Sequence, residues 1–490
     1  MTVRDLNTTP HGAGPVRGCK KAEAPQSSSR LRSRDPDAEL GFRSRRQQLN
    51  QFQFTRRGFL YSAAAPLAAA GRRPRAKSRN DDWNVLSIGV GSRGTGIGYG
   101  VGSYGRIVAV CDVNRDAAEQ FAGILLERQS RPDLYSDYRK ALERKDVDVV
   151  TIGTPDHWHT PILLAALRAG KDVYCEKPMT LTIDEGKRIC RAVKETGRIV
   201  QVGTQQRTEF NQIFLKAVAA GRSGVLGKKL TATCSVGAGP DNGPFTPTDP
   251  PASLDWDMWL GQAPKVPYVE QRAGFNFRWW YEYSGGIMTD WGAHHLDIAH
   301  WALGVENTGP IEIEGQGILP LSREETLDII RGRAQTITNR YNTVTTFRVV
   351  LRFANGNTII VQDGPGNGIE IAGELSSISA SREKLVGAAF HTVLDTDRSH
   401  AWLEEEALRL YGDMPSTHIR NFQLSVKARK QPISDVFTHH RAVSSCHLAT
   451  IAILLNRKLR WDPVKEDFIG DSEASSLLSR PQRKPYNLEA

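Results

Sequence analysis

The chain has 490 residues, 39% hydrophobic and 24% charged, a composition of ordinary globular protein and enough length for two domains. Its formal net charge is +10, but residues 1–80 hold 17 of the 64 Lys and Arg and only 5 of the 54 Asp and Glu, so the remainder is slightly acidic. The basic balance therefore belongs to a leader, and the body lacks the electrostatic footprint of a nucleic-acid binder.

Residues 1–50 are rich in Arg, Ser, Gln and Pro and too poor in apolar groups to offset chain entropy, which predicts disorder. Phe54-Thr55-Arg56-Arg57-Gly58-Phe59-Leu60 follows, then an apolar run from Tyr61 closing on Ala68-Ala69-Ala70. That order is a twin-arginine export signal with a small-residue cleavage site, which predicts a periplasmic or exported protein, cytoplasmic if the signal is not used. The run is too short to span a bilayer, so no membrane partner is expected. The six cysteines show no CxxC pairing and several sit in apolar runs, the pattern of buried reduced thiols.

From Asn84 to about Gln205, strand-like and helix-like patterns alternate. Val85–Val90, Ile107–Val113, Val147–Thr154, Asp172–Glu176 and Ile199–Gly203 read as strands; Arg115–Arg128, His157–Ala169 and Ile183–Thr196 read as helices. This order predicts an α/β fold with a doubly wound parallel sheet, a Rossmann domain over 81–205. In Gly89-Val90-Gly91-Ser92-Arg93-Gly94, Gly89 permits the tight turn, Gly91 lets a pyrophosphate approach the backbone, and Gly94 permits close helix packing. Asp112, 18 residues past Gly94 at the end of the second strand, suits the two ribose hydroxyls of NAD, while Asn114 and Arg115 leave NADP open. Thr154, Pro155, His157 and His159 lie at the carboxyl edge of the fourth strand and are candidates for the wall beside the nicotinamide, though capping and packing also account for them. Glu176-Lys177-Pro178 closes the next strand and presents a lysine toward the same place.

Beyond the predicted helix Asn211–Ala220, Leu230–Val236, Ile311–Ile318, Thr345–Phe353 and Asn357–Gln362 predict a mostly antiparallel sheet, the last two strands joined at Asn355-Gly356. The Pro- and Gly-rich stretch 237–267 reads as long loops. Gly285-Gly286 opens a helix that places Asp290, His294, Asp297 and Trp301 on one stripe, with His295 and His300 elsewhere. An aspartate one turn from a histidine can fix its tautomer for acid/base work. Taken alone, the stripe fits a capped amphipathic helix with a satisfied core histidine better than a site. HExxH is absent and no cysteine is near, so no metal is expected. Trp279, Trp280, Tyr281 and Tyr283 suit either sugar stacking or a core.

At these motifs, over about residues 84–470, the sequence resembles the Gfo/Idh/MocA oxidoreductases. The resemblance rests on the Gly89–Gly94 loop, Glu176-Lys177-Pro178, and Gly285-Gly286 followed by Asp290-Trp291-Gly292-Ala293-His294. Arg420-Asn421-Phe422, Cys446-His447-Leu448 and Trp461-Asp462-Pro463 look like the tail of exported members. It implies a Rossmann domain, then an α/β domain over 206–470 with a large open sheet used for oligomerisation, and a tail over 471–490. It further implies NAD(P)-dependent oxidoreduction at a carbinol or ketone carbon of a sugar or polyol, a homo-oligomer, and three catalytic residues: Lys177, which binds and polarises the substrate, and Asp290 and His294, which line the reacting carbon. Glu176 and Lys177 would also border the cofactor. The same residues would serve a redox-assisted glycoside hydrolase or lyase. A cofactor-sensing protein without turnover is disfavoured by the retention of all three.

Overall fold

The computed structural model describes residues 83–127, 131–387 and 417–488, with part of 401–408. The leader with Arg56 and Arg57, Cys19 and the last two residues lie outside the described residues.

The first sheet has six strands: β1 Trp83–Ile88, β2 Gly105–Cys111, β3 Asp133–Tyr135, β4 Val149–Ile152, β5 Asp172–Cys175 and β6 Val200–Val202. Their order is β3-β2-β1-β4-β5-β6 with every pair parallel. All residues of β4 and β5 are buried, as both-face coverage by crossover helices demands. Those helices are α1 Ser92–Gly102, α2 Arg115–Leu126, α3 His159–Arg168 and α4 Ile183–Thr196. Asn114 caps α2, and a Thr182/Glu185 capping box starts α4, which stops at Gly197 with φ 61°. The chain leaves β1 toward β2 on one side and β4 on the other, which opens a ligand crevice at their carboxyl ends. The short strand β3 was not among the predicted elements, and the expected helix from His157 instead begins as a 3-10 turn over Asp156–Trp158.

The helix α5 Ile213–Ser223 starts two residues later than predicted, because Phe210, Asn211 and Gln212 all hold positive φ. Helices α6 Ile287–Asp290 and α7 Gly292–Ala302 are joined by Trp291, itself in the helical region at φ −84° and ψ −32°. The second sheet takes β7 Thr231–Ser235, β8 Glu312–Ile318, β9 Thr346–Arg352, β10 Thr358–Gln362, β11 Gly368–Ala372, β12 Ser377–Ala380, β13 Leu385–Val386, β14 Leu459–Asp462 and β15 Asp467–Phe468. In the order β13-β12-β11-β7-β10-β9-β8-β14-β15, only β7 and β10 run parallel. Alternation in β9 buries Phe347, Val349 and Leu351 in the second core and turns Arg348 and Arg352 outward.

The C-terminal segments are not spatially separate from the first domain. Helix α8 His418–Ala428 lays Phe422 onto Trp83 and Tyr174 of the parallel-sheet domain, and Gln201 Nε2 donates 2.8 Å to the His418 carbonyl. The largely buried helix α9 Val436–Leu455 runs from the first core, through Val436, into the second. Ala474, Leu477 and Leu478 of the tail enter the second core, while the Asp184 amide donates to the Leu478 carbonyl.

Candidate active site

The glycine loop has the geometry its spacing requires. Gly89 sits at φ 72°, and a Cβ there would lie 2.6 Å from the Thr154 amide. A Cβ at Gly94 would fall 1.8 Å from the Gly89 carbonyl, so Gly94 is needed for the α1 to β1 approach. A Cβ on Gly91 meets nothing within 4 Å: it faces open space at the uncapped start of α1, where amide N–H groups and the helix dipole favour an anion. Asp112 closes this cradle. Its Oδ2 accepts from the Val90 amide and its Oδ1 from the Asn114 amide, both at 2.8 Å. Burial raises its carboxyl and those two hydrogen bonds oppose the rise. Ser253 and Asp255, in the predicted loop stretch, bond the backbone of Arg115 and Val113 beside it.

At the end of β4 the predicted wall residues divide. Thr154 carries an unpartnered buried Oγ1 beside Gly89. Pro155 starts the 3-10 turn. His157 is fully buried among Trp158, Trp259 and Tyr283, with Nε2 2.9 Å from the Trp259 carbonyl, and burial lowers it to about 4. It is a core residue, as the packing reading allowed. His159 has Nδ1 2.7 Å from the Pro178 carbonyl and Nε2 2.9 Å from the Thr154 carbonyl, so it ties the β4 turn to the Glu176-Lys177-Pro178 turn. Nearby, the buried Asp156 carboxyl accepts from Ser284 Oγ at 2.5 Å.

Glu176 and Lys177 leave β5 in opposite directions. The buried Glu176 carboxylate receives Arg93 Nε at 2.8 Å and Gln205 Nε2 at 3.2 Å, which fastens the lysine turn to the glycine loop. Lys177 Nζ donates to Asp290 Oδ1 at 2.6 Å and to the Asp290 carbonyl at 2.8 Å. Arg278 Nε adds a second contact to that carboxylate at 3.3 Å. Burial would raise Asp290, but Lys177 and Arg278 overcome it and hold the carboxyl at about 2. Asp290 therefore balances Lys177 and does not orient His294, contrary to the expectation drawn from their helical spacing. His294 is 4% exposed, rests against the Trp291 ring, and has a buried Nδ1 without a hydrogen-bond partner among the described residues. Burial first, then the Lys177 and Arg382 charges, press its pKa well below the usual histidine value, so the ring is neutral at pH 7.

The other members of the stripe do not join the site. Asp297 is wholly buried in a two-pronged pair with Arg207, at 2.6 and 2.7 Å, and Trp301 packs under that guanidinium. His295 bonds Asn367 at 2.6 Å and His300 bonds Ser445 at 2.9 Å. Trp280, Tyr281 and Tyr283 are fully buried, so the aromatic run is core. The five described cysteines are unpaired. Arg278 and Arg382 were missed in the sequence. Arg278 sits inside the aromatic run, and Arg382 stands alone in the β12–β13 turn.

Comparison with known proteins agrees with this architecture. Residues 84–204 match the family model described as the oxidoreductase family, NAD-binding Rossmann fold, and residues 222–488 match the oxidoreductase family C-terminal alpha/beta domain. Scyllo-inositol 2-dehydrogenase (NAD(+)) of Bacillus subtilis strain 168 is 30% identical over 43% of this chain and 49% of its own length. The chain thus spans about half of that relative. Inositol 2-dehydrogenase of Rhizobium meliloti is 26% identical over 59% of this chain and 71% of its own. Among solved structures, a levoglucosan dehydrogenase complexed with NADH and levoglucosan shares the fold with TM-score 0.53 and 16% identity, over 77% of this chain and 99% of that one. The WlbA dehydrogenase of Bordetella pertussis, complexed with NADH and UDP-GlcNAcA, shares it at TM-score 0.53 and 17% identity, over 78% and 99%. With both its domains matched, this chain belongs to the Gfo/Idh/MocA oxidoreductase family and carries that family's NAD-binding Rossmann domain.

Proposed function

We propose that the protein is an NAD(P)-dependent oxidoreductase acting on a CH–OH group of a sugar or polyol, with Lys177, Asp290 and His294 as its reaction centre. The observation that carries this reading is the Lys177–Asp290 pair beside a neutral, buried His294, on a turn clamped to the glycine loop through Glu176 and Arg93. Inositol and levoglucosan dehydrogenases among the similar proteins support the substrate class.

The residues fit a dinucleotide: the open space at Gly91 and the uncapped amides of Ser92 and Arg93 would take the pyrophosphate, and Asp112 would take the adenosine ribose. NAD, when bound, supplies the acceptor for hydride from the carbinol carbon. The chain's own residues manage the proton. Two of the three Lys177 ammonium hydrogens are held by Asp290, which leaves one for the substrate oxygen. Held there, Lys177 stabilises the alkoxide that develops as the hydroxyl proton passes to the neutral His294 ring. In the reverse direction the same groups return the proton to a ketone oxygen. Asp290 stays ionised throughout and keeps Lys177 in place.

A screen of sugars and polyols with protein and NAD, read by reduced-nicotinamide absorbance, tests the proposal; no change with any member would count against it. The Arg56-Arg57 pair supports export by the twin-arginine route, tested by periplasmic recovery of an Arg56→Lys/Arg57→Lys variant. The large open nine-stranded sheet supports self-association, tested by sedimentation. Among the described residues no helix is long and apolar enough to cross a membrane.

A further inference from the structure

Four cations surround the reaction centre, and three of them have a carboxylate within ion-pair distance. Arg93 meets Glu176 at 2.8 Å, Lys177 meets Asp290 at 2.6 Å, and Arg278 meets Asp290 at 3.3 Å. Arg382 has none among the described residues. Its neighbour Glu383 accepts from Ser381 Oγ at 2.7 Å. The Arg382 guanidinium rests instead against two rings, its carbon 4.4 Å from the Trp291 centroid and 4.6 Å from that of Phe210. Those rings hold a cation in place but accept none of its N–H groups, and the buried Nε has no hydrogen-bond partner among the described residues. Trp291 is also the ring against which His294 packs, at 5.9 Å between centroids, so the guanidinium and the proposed base share one indole. Burial and then the Arg93 charge lower Arg382 from its ordinary value, while Asp290, Glu383 and Glu209 oppose the fall from beyond ion-pair distance. Elsewhere among the described residues, the buried arginines Arg207 and Arg272 each have a carboxylate at 2.6 to 2.7 Å, and Arg480, which has none, donates to the Tyr281 carbonyl.

We propose that Arg382 is a specificity residue that binds an anionic substituent, a carboxylate or a phosphate, on the sugar or polyol, so that the preferred substrates of this site are acidic. The proposal rests on the sugar-oxidation reading above, and it adds to that reading the charge of the substrate. An oxyanion on the substrate would supply the acceptors that Arg382 lacks and hold the molecule by a planar, two-pronged contact. That anchor would fix which carbinol faces Lys177 and His294.

The test compares D-glucose, D-glucuronate and D-glucose 6-phosphate with full-length wild type, Arg382→Met and Arg382→Lys, each first shown to bind NADH. Binding to the NADH-loaded protein is followed by cofactor fluorescence and turnover by reduced-nicotinamide absorbance. The expected result is saturable binding of at least one acid roughly 10-fold or more tighter than glucose, lost in Arg382→Met and partly restored in Arg382→Lys. Glucuronate favoured alone identifies a carboxylate site, and the phosphate favoured alone a phosphate site. Glucose binding as well as both acids, no saturable acid binding, or an acid preference that persists in Arg382→Met overturns the proposal. Acid binding that depends on Arg382 without turnover would support this inference while the oxidation reading failed, so the two failures are distinguishable.

Discussion

Lys177 and Asp290 stand 113 residues apart in the chain and meet at 2.6 Å, Nζ to Oδ1, so the lysine of the parallel-sheet domain is held by the helix pair of the other. The pairing sets the work of both residues. Asp290→Asn removes the counter-charge while keeping the shape, and turnover should fall roughly 10- to 100-fold with NADH affinity little changed. Asp290→Glu should recover part of the loss, because a carboxylate again reaches Lys177. Steady-state kinetics with parallel NADH titration checks this; equal loss in both variants would point to a packing defect instead.

Two glycines of one loop should fail in different ways. Gly91→Val adds side chain into open space at φ −60°, so folding should be retained while NADH binding weakens about 10-fold or more as the phosphate cradle fills. Gly94→Ala places a methyl group 1.8 Å from the Gly89 carbonyl, so the protein should lose thermal stability as well. Melting temperature and NADH titration, measured on both variants, separate the two effects.

Six buried histidines link stability to pH. Burial is the largest cause at each and lowers His157, His295, His300 and His418 to about 4, and His439 and His447 to about 3. Unfolded, each takes up a proton near its ordinary value of about 6.5. Folded values lie below unfolded ones, so the stability is present above pH ~6.5 and is lost as pH falls toward about 4, with a slope of about 1.4 kcal/mol per pH unit for each proton. Urea unfolding at successive pH values between these limits should show the unfolded chain binding about three or more extra protons. A flat profile would contradict the assignment.

The Arg207–Asp297 pair should matter for stability and not for chemistry. With Asp297 wholly buried, Asp297→Ala removes the carboxylate that balances the buried Arg207 charge and should cost about 3–5 kcal/mol. The double replacement Arg207→Met/Asp297→Leu should cost less than the single one, because no buried charge remains. Denaturant titrations of the three variants decide the point.

Much of the scaffold was legible because its physical causes are local. Val149–Ile152 and Asp172–Cys175 announce strands buried on both faces, and apolar spacing over Ile183–Thr196 announces a helix. Tyr135 closes a strand of only three residues, too short to show a period. The site was legible by residue and not by partnership. Helical spacing places Asp290, His294 and Asp297 on one face, but it says nothing of Lys177 and Arg278 arriving at the first and Arg207 at the last. Glu176 was found with its lysine, while its grip on Arg93 depends on how two turns at one sheet edge fold together. Arg382 had no local pattern at all, because its meaning lies in the carboxylate it lacks.

The central claim is that Lys177 and His294 act on the proton of the reacting hydroxyl. Single-turnover reduction of NAD by wild type, Lys177→Ala and His294→Ala, with a substrate found in the screen and cofactor binding verified, tests it most directly. The account predicts that each variant still binds NADH and slows by about 100-fold or more. Turnover in either variant as fast as in wild type would contradict it.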